Sequence, residues 1–450
     1  MTAEPAVSVS AASSRVLPGR HPEDRVIAAL AVPALGALAA DPLYSLVDTA
    51  FVGHLGVAQL GGLSIGVAAF TASFWIFSFL AYGVTPRVAR ALGAGSAEDA
   101  TRVGIQALLL ALLLGGAVSA IGFFLAGPVV RAFGASDDVV RYAEPYLRIR
   151  ALAAIPVLIA QVGQGYLRGA HDTRTPTVVV VAGAAANVIV GYVFIFVLGW
   201  GIEGAAWAVV LCQAGAAAAF LVILRRTMVS LRWRPEPVVM RSLLRVGGEL
   251  ALRSGSLLAG LTIATSVAAR IGTTTIAAWQ VAMQLFLLLS LTLDAVAIAA
   301  QALVATQLGA GDESRARAVG QRLIGLGLYV GSALGLLLFI AASPLGGVFT
   351  EAPDVAPLAT QLLIWLALLQ PLGAVAFTLD GILIGASDTG FLALAMVGSS
   401  AVFVASMLAL HRADAGVWSL VVGMSLWIAL RAGTGLYRFR GPGWTGGTAA

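Results

Sequence analysis

Long apolar segments alternate with short polar connections along almost the whole chain. Each segment is long enough to cross the hydrocarbon core of a bilayer as a helix, which takes about 20 residues, whereas a strand of a membrane barrel needs about ten. The pattern therefore predicts an all-α integral membrane protein with twelve transmembrane helices. The predicted spans are residues 26–52, 60–86, 102–127, 142–167, 176–198, 204–225, 242–269, 274–306, 318–341, 356–384, 390–410 and 415–437.

Charged residues are scarce and unevenly placed. Of the 450 residues, 11% are charged and 59% are hydrophobic, whereas a soluble domain carries about 25% charged residues. The chain has no lysine, and its arginines are concentrated in alternate connections, most of all in residues 225–241. Because basic residues favour the cytoplasmic side, we expect a multi-pass protein of the plasma (inner) membrane with both termini in the cytoplasm.

The longest connection between spans marks a division of the chain. Residues 226–240 contain two prolines and three arginines, which is typical of a linker. The predicted domains are a cytoplasmic tail of residues 1–25, an N-terminal six-helix lobe of residues 26–225, a cytoplasmic linker of residues 226–240, a C-terminal six-helix lobe of residues 241–438 and a second cytoplasmic tail of residues 439–450.

The two predicted lobes are copies of one another. Ala-Leu-Gly-Ala-Gly at residues 91–95 recurs as Gln-Leu-Gly-Ala-Gly at residues 307–311, an offset of 216. The same offset brings Asp172-Thr173 onto Asp388-Thr389. Two copies that each contain an even number of helices have the same orientation, so we predict a pseudo-two-fold axis along the membrane normal. Transporters of this design hold their substrate between the halves and expose it to each side in turn.

Two carboxylates lie in the first predicted span. Asp41 and Asp48 are seven residues apart, so they project from one helix face about 10 Å apart along the axis. Pro42 also removes a backbone donor beside Asp41. Acids inside a membrane are costly and usually functional. The second copy has Leu257 and Ala264 at these positions, and this asymmetry indicates specialised chemistry in the first helix, where we expect an ion and a substrate to meet. Asp41 is a candidate for attracting a cation and for lining a substrate cavity, or it could be a structural partner of the kink at Pro42.

Four further polar residues fall within predicted spans and are candidates for a substrate cavity. Asn187 and Gln161 could contact substrate or join helices by hydrogen bonds. Asp294 has no basic residue within one turn, which favours a functional role. Asp380 lies near the cytoplasmic end of its span, so a hydrogen-bonding role at that end competes evenly with a role in the cavity. No metal-ligand spacing and no phosphate-binding glycine loop occurs in the sequence, so we expect no metal, no cofactor and no enzymatic activity.

Several motifs resemble those of one transporter family. Ser-Leu-Val-Asp-Thr-Ala-Phe-Val-Gly-His-Leu-Gly at residues 45–56 is similar to the first-helix signature of multidrug and toxic compound extrusion (MATE) transporters, and Ala-Val-Pro at residues 31–33 matches the proline that bends that helix. Gly-Tyr-Leu-Arg-Gly-Ala-His-Asp-Thr-Arg-Thr-Pro at residues 165–176 resembles the loop after their fourth helix. Leu-Thr-Leu-Asp-Ala at residues 291–295 and Leu-Asp-Gly-Ile-Leu-Ile-Gly-Ala at residues 379–386 point to the DinF branch.

The resemblance implies both a mechanism and a departure from it. MATE transporters export organic cations and other amphipathic compounds by antiport against H⁺ or Na⁺, and their first-helix aspartate is the ion site. That role falls on Asp48, with Pro33 and Pro42 as the positions where the helix bends. Many members also have an acid four residues after an asparagine in the fifth helix. Here Asn187 is followed at that spacing by Gly191, so a coupling network with a fifth-helix acid cannot be carried over.

Together these observations predict a monomeric secondary antiporter that exports small cationic amphipathic compounds in exchange for protons by alternating access. The expected partners are these substrates and membrane lipids, and no nucleic acid. The first alternative is Na⁺ coupling by the same kind of exporter. The second is a flippase for lipid-linked precursors, which should line its cavity with arginine to bind pyrophosphate; the acids of the predicted spans disfavour it.

Overall fold

The structure, a computed structural model, describes residues 21–75, 79–229, 233–349 and 353–445. Within these ranges all regular structure is helical and no strand occurs. The side chain of Asp41 lies outside the described part of the chain, although its backbone belongs to a helix. Most of the predicted N-terminal tail, residues 1–20, and the last residues of the predicted C-terminal tail, 446–450, also lie outside the described residues.

Fifteen α-helices follow one another in the described chain, and a short π-helical turn, Val193–Val197, extends the eighth. They are α1 (Pro22–Gly53), α2 (Val57–Trp75), α3 (Phe79–Gly93), α4 (Ala97–Phe124), α5 (Ala126–Ala132), α6 (Asp137–Ala151), α7 (Ala154–Gly169), α8 (Arg174–Tyr192), α9 (Gly201–Thr227), α10 (Pro237–Ile271), α11 (Thr273–Gly309), α12 (Glu313–Phe349), α13 (Val355–Gly385), α14 (Thr389–Arg412) and α15 (Trp418–Arg440).

The helices account for nearly all of the predicted spans. Ten elements of the described chain are long and apolar enough to cross a membrane, and α6 with α7, bent by 47° at a short break, can form an eleventh. The break has a local cause, since Pro156 has no amide hydrogen to continue the helix from Leu152. The predicted span 60–86 corresponds to α2 and α3, which flank residues 76–78 outside the described ranges.

The duplication is visible in the tertiary contacts. Gly165 and Gly169 of α7 are packed so closely on α3 that an added Cβ would lie 2.8 Å and 2.6 Å from the carbonyl oxygens of Ala81 and Thr85. The same contact recurs 216 residues later, where the glycines of α13 pack on the backbone of α11. The corresponding pairs are Gly381 on Ala297 and Gly385 on Gln301. Small residues thus bring the helices of each repeat together in the same way.

The connections repeat as well. Gly95 and Gly311 both have positive φ, 79° and 75°, in the turns that precede α4 and α12. The next residue caps the helix in each copy, because the amide of Asp99 donates to Ser96 Oγ and the amide of Arg315 donates to Asp312 Oδ1. His171 and Ser387 share a φ of 63° at the same offset.

By packing, the chain forms two compact units. The first, called here the N-terminal unit, is residues 32–251, and the second, the C-terminal unit, is the described residues up to Ala31 together with those from Leu252 onward. Two helices, α1 and α10, therefore belong in part to each unit. They are the first helices of the two repeats, since α1 shifted by 216 residues nearly coincides with α10. The lobe boundaries at residues 26–225 and 241–438 stay a prediction.

The linker predicted at residues 226–240 is attached to the N-terminal unit where it is described. The side-chain amide of Gln106 on α4 donates to the carbonyl of Arg234 at 2.8 Å and accepts from the amide of Glu236 at 2.9 Å. The Glu236 carboxylate also pairs with Arg102, whose Nε donates at 2.7 Å. Because Gln106 is buried, this linker segment is an ordered part of the packing rather than a free tether.

Candidate functional site

Asp48 lies on α1 inside the N-terminal unit, and its residue is only 7% exposed. The buried amide of Asn187 on α8 faces its carboxylate. With the amide nitrogen toward Asp48, Asn187 donates to Oδ1 at 3.2 Å and its oxygen accepts from the amide of Val209 at 3.3 Å. A buried polar group needs such partners, because leaving it without a hydrogen bond costs about 1–3 kcal/mol. The two residues singled out in the sequence, Asp48 and Asn187, are therefore brought together.

Gly191 lies one helical turn after Asn187 and faces the same carboxylate. A Cβ added to Gly191 would be 3.8 Å from Asp48 Oδ1 and 3.9 Å from the Cβ of Ala208, which is ordinary van der Waals contact. An acid at this position, as the MATE resemblance would place it, would thus lie directly beside Asp48. Because residue 191 is a glycine, the partner of the Asp48 carboxylate on α8 is Asn187 within the described residues.

Positive charge approaches Asp48 from α6. Arg150, in the last turn of α6, lies within electrostatic range of Asp48 and of the buried Tyr146. Its guanidinium carbon is 4.3 Å from the centre of the Phe70 ring, a cation–π contact. The sequence prediction missed Arg150, although an arginine inside the predicted span 142–167 is itself an indication of function. Asp48 is therefore a carboxylate with one amide partner and one nearby guanidinium.

A cavity of about 170 Å³ opens in the N-terminal unit between α1, α7, α8 and α9. Its polar lining is mostly amide, and Asn187 contributes to it, so one side chain joins the cavity to Asp48. Arg168 also lines the cavity; it is buried and donates to Gln164 Oε1 at 3.0 Å. The polar residues of the lining are Tyr44, Gln161, Gln164, Arg168, Asn187 and Gln213. Gln161 and Asn187, both named as candidates from the sequence, therefore line the same cavity. The described lining contains no carboxylate.

Asp294 and Asp380 belong to the C-terminal unit and form a separate charged cluster. Asp380 accepts from Arg431 Nη2 at 2.8 Å and forms a second ion pair with Arg253. Asp294 lies within electrostatic range of both arginines and of Asp380. Two acids and two arginines make the cluster neutral when all are charged, which lowers the cost of burying each one.

The same cluster gives Arg253 a partner that the sequence did not indicate. The i, i+4 spacing of Glu249 and Arg253 predicts an intrahelical pair. In the structure Glu249 pairs with Arg245, at 3.2 Å, and Arg253 reaches across to Asp380 on α13. Arg431, the other partner of Asp380, is stacked between Phe377 and Trp427 with its guanidinium carbon 5.0 Å from each ring centre. Sequence spacing could not identify these partners because they come from three different helices.

The two prolines named as bending positions both lie inside α1, which is helical through Pro33 and Pro42. The carbonyl of Pro33 lies 2.6 Å from the Thr177 hydroxyl on α8. Bending at these prolines stays a prediction, as does the role of Asp41, whose side chain is outside the described part of the chain.

Comparison with known proteins decides the family. A family model described as MatE matches residues 33–193 and 256–409, which together are well over half of the chain. The chain belongs to the MATE family. The matched ranges contain Asp48, Asn187, Asp294 and Asp380, whereas Arg253 and Arg431, the arginine partners of Asp380, lie outside them.

Relatives and solved structures agree with this assignment. The chain is 36% identical over 428 residues to Protein DETOXIFICATION 44, chloroplastic, of Arabidopsis thaliana, covering 92% of this chain and 81% of the relative. It is 28% identical over 418 residues to DNA damage-inducible protein F of Escherichia coli (strain K12), covering 91% and 90%. Among solved structures, a crystal structure of MATE in the bent conformation has a TM-score of 0.87 at 21% identity, covering 94% of this chain and 95% of that one.

The family assignment settles several predictions from the sequence. The resemblance to MATE transporters and to their DinF branch is confirmed, and so is the all-α integral membrane fold. The protein is a multi-pass membrane transporter of a multidrug efflux family and not an enzyme. The coupling ion, the substrate, the roles of individual residues and the membrane in which it resides are matters for proposal.

Proposed function

We propose that this MATE protein is a secondary antiporter that exports cationic amphipathic compounds in exchange for protons, with Asp48 as the group that carries the proton. The observation that supports it most is the surroundings of Asp48: a buried carboxylate, one amide partner and a glycine in place of a second acid. Such a carboxylate can exist in two charge states without losing its place in the packing, because the Asn187 amide can donate to either state.

The exchange follows from electrostatics. An ionised Asp48 attracts a cation in the adjacent cavity, and for a cation that approaches to about 4 Å in a partly solvated protein this attraction would be about 4 kcal/mol. Protonation removes it, and each 1.4 kcal/mol changes an affinity about tenfold. Protonation from the outside therefore releases a cation that bound from the cytoplasm. A proton and a cationic substrate cannot both be held by the Asp48 carboxylate at the same time. This mutual exclusion couples proton movement to substrate movement.

The cavity fits the organic part of such a substrate. Amide side chains and Tyr44 supply hydrogen bonds, and the remaining lining is apolar, including Ala37, Leu38 and Phe220. The charge in the described lining is the guanidinium of Arg168, so the attraction for a cation is assigned to Asp48 on the Asn187 side of the cavity, with Asp41 as a second candidate. Arg150 repels a cation near Asp48, and this repulsion favours release of the cation once the carboxylate is protonated.

The arrangement also favours H⁺ over Na⁺. A sodium ion needs several oxygen ligands, whereas a proton needs one basic oxygen. Gly191 provides no side-chain oxygen beside Asp48, and the Asn187 oxygen accepts from Val209. We further propose that the protein works as a monomer in the plasma membrane with both termini cytoplasmic, needs no cofactor, and meets small organic cations and lipids as its ligands.

Dye efflux distinguishes the two ions. The protein is reconstituted in liposomes and efflux of a fluorescent cation is followed while external Na⁺ is stepped at fixed pH, with choline as the balancing ion, and again with a protonophore. Efflux that stops with the protonophore and ignores the sodium step supports the proposal. Efflux that follows sodium and persists with the protonophore contradicts it and assigns the coupling to Na⁺.

A further inference from the structure

Helix α1 is shared between the two units, and the division falls beside a proline. Residues up to Ala31 pack with the C-terminal unit and residues from Val32 onward pack with the N-terminal unit. Pro33 follows directly, and its missing amide hydrogen weakens the helix at this point. The part of α1 that carries Asp48 and the part that precedes Pro33 are thus held by different units.

The part before Pro33 is fixed by a buried ion pair. Arg322 of α12 donates to Asp24 through Nε to Oδ1 at 2.8 Å and through Nη2 to Oδ2 at 2.7 Å. The two side chains are 4% and 6% exposed. Ile27 and Leu30, on the next turns of α1, are buried as well. The first turn of α1 is therefore fastened to α12 by a two-point contact.

The part after Pro33 is fixed to α8 at three places. The Thr177 hydroxyl contacts the Pro33 carbonyl. A Cβ on Gly36 would lie 3.3 Å from Thr177 Cγ2, so the backbones are close there. Further along, Asn187 faces Asp48. Between Pro33 and Asp48 the helix thus contacts α8 at these positions, whereas Asp24 contacts α12.

We infer that the Asp24–Arg322 pair is a positioning pair for transport: it anchors the start of α1 so that a change at Asp48 is passed through Pro33 to the C-terminal unit. This inference rests on the proposed role of Asp48. Asp24 and Pro33 are nine residues apart, so the anchored segment is a rod of about 14 Å. If its far end were loose, bending at Pro33 would swing only that end, and α12 would not respond.

Two features favour an anchor over simple stabilisation. A buried ion pair is a poor way to gain stability, because apolar residues of similar volume often stabilise equally well, but it fixes one geometry. The ion pair and the proline also occur in the first repeat alone, since Gln106, the counterpart of Arg322, holds the segment before α10 through amide hydrogen bonds and not through an ion pair. Position 24 corresponds to Met240 and position 33 to Glu249 in α10. The acid and the proline are therefore both absent from the helix that lacks a counterpart of Asp48.

The test loosens the anchor without removing its charge. Arg322→Lys keeps the ion pair but replaces the planar two-point fork with a single ammonium. The matched control is Arg438→Lys, because Arg438 makes the same kind of two-point contact with Asp388, at 2.6 Å and 3.3 Å, in the same unit. For each purified variant, dye affinity, proton release on dye binding and gradient-driven efflux in liposomes are measured.

We expect Arg322→Lys to bind dye and release protons as the wild type does while its efflux falls about tenfold, within the range by which changes along a coupled network alter coupling. Arg438→Lys should retain wild-type efflux. The doubly apolar variant Asp24→Leu with Arg322→Met should fold and bind dye but export as poorly as Arg322→Lys. Wild-type efflux by Arg322→Lys, or equal losses in Arg322→Lys and Arg438→Lys, would overturn the anchor.

The same data separate this inference from the proposed function. If the wild type released no protons on binding dye, the role of Asp48 would be wrong whatever the variants did. If the wild type released protons and Arg322→Lys still exported normally, Asp48 would keep its role and the anchor alone would fail.

Discussion

Replacing Gly191 with aspartate tests the candidate site directly, because it adds one carboxylate at a known place. The added Cβ would meet only Asp48 Oδ1 at 3.8 Å and Ala208 Cβ at 3.9 Å. Both are ordinary contacts, so the backbone leaves room for a side chain to begin here and the variant should fold. The matched control is Gly191→Asn, which has the same shape and no charge.

The magnitude follows from that distance. The 3.8 Å joins the added Cβ to Asp48 Oδ1, so the new carboxylate can lie about as close to Asp48, and two carboxylates about 4 Å apart repel by about 4 kcal/mol at an effective dielectric constant near 20. A bound cation or a proton must relieve this repulsion, since two such groups do not stay ionised side by side. A cationic dye should therefore bind Gly191→Asp more tightly than the wild type, by about tenfold if only a third of that energy is recovered. Release of the dye should then require protonation of two carboxylates, so dye efflux should be slower than in the wild type.

Two measurements check the reasoning. Dye titration in detergent gives the affinity, and the protons exchanged per dye are read with a pH indicator in weakly buffered solution. Gly191→Asp should bind more tightly and exchange more protons per dye than Gly191→Asn. If the aspartate and asparagine variants bound the dye equally and exchanged equal numbers of protons, position 191 would not face the functional carboxylate, and the geometry proposed for the site would be refuted.

Three further changes address coupling and packing. Asp48→Asn should abolish gradient-driven efflux while the protein stays folded, whereas Asp138→Asn, the same change at an exposed acid, should leave efflux intact; normal efflux by Asp48→Asn would remove it from the mechanism. Gln106→Leu should lower the free energy of unfolding by about 1–3 kcal/mol, because the backbone groups of the linker lose their buried partners, as thermal unfolding in detergent would show. The hydrogen bond from Arg102 lowers the pKa of Glu236 below its usual 4.5, so this pair should stabilise the protein above that pH and lose its effect as pH falls; Glu236→Gln should lack this acid-dependent loss, and an identical pH profile would contradict it.

Much of the fold could be read from residue order. The spans follow from the length of the apolar runs, because a backbone in lipid must satisfy its hydrogen bonds within one helix. The duplication was visible as a constant offset of 216 residues, and it reappears in the glycine contacts, the helix caps and the backbone angles of the structure. These properties depend on local pattern, which a sequence carries directly.

The candidate site was predicted only in part. Asp48 stood out because an acid in an apolar run is costly wherever the helix packs. Asn187 and Gln161 could be named as polar residues in spans, but whether they joined a cavity or bound another helix depended on which faces met. The closeness of Gly191 to Asp48 was also undetermined, since the two residues come from helices more than a hundred positions apart.

Charge pairing was decided by tertiary structure alone. The i, i+4 spacing of Arg253 predicts a pair with Glu249 on its own helix, and the structure adds a pair with Asp380 on α13 that this spacing does not indicate. Arg322 and Asp24, separated by 298 positions, form a two-point pair that no spacing could indicate. The physical reason is that buried charges must find partners wherever packing brings them together, and the cost of leaving one unpaired exceeds any local preference. The sequence by itself determined which segments cross the membrane and which acid is exceptional; only the packing of the helices decided which arginine and which amide each acid meets.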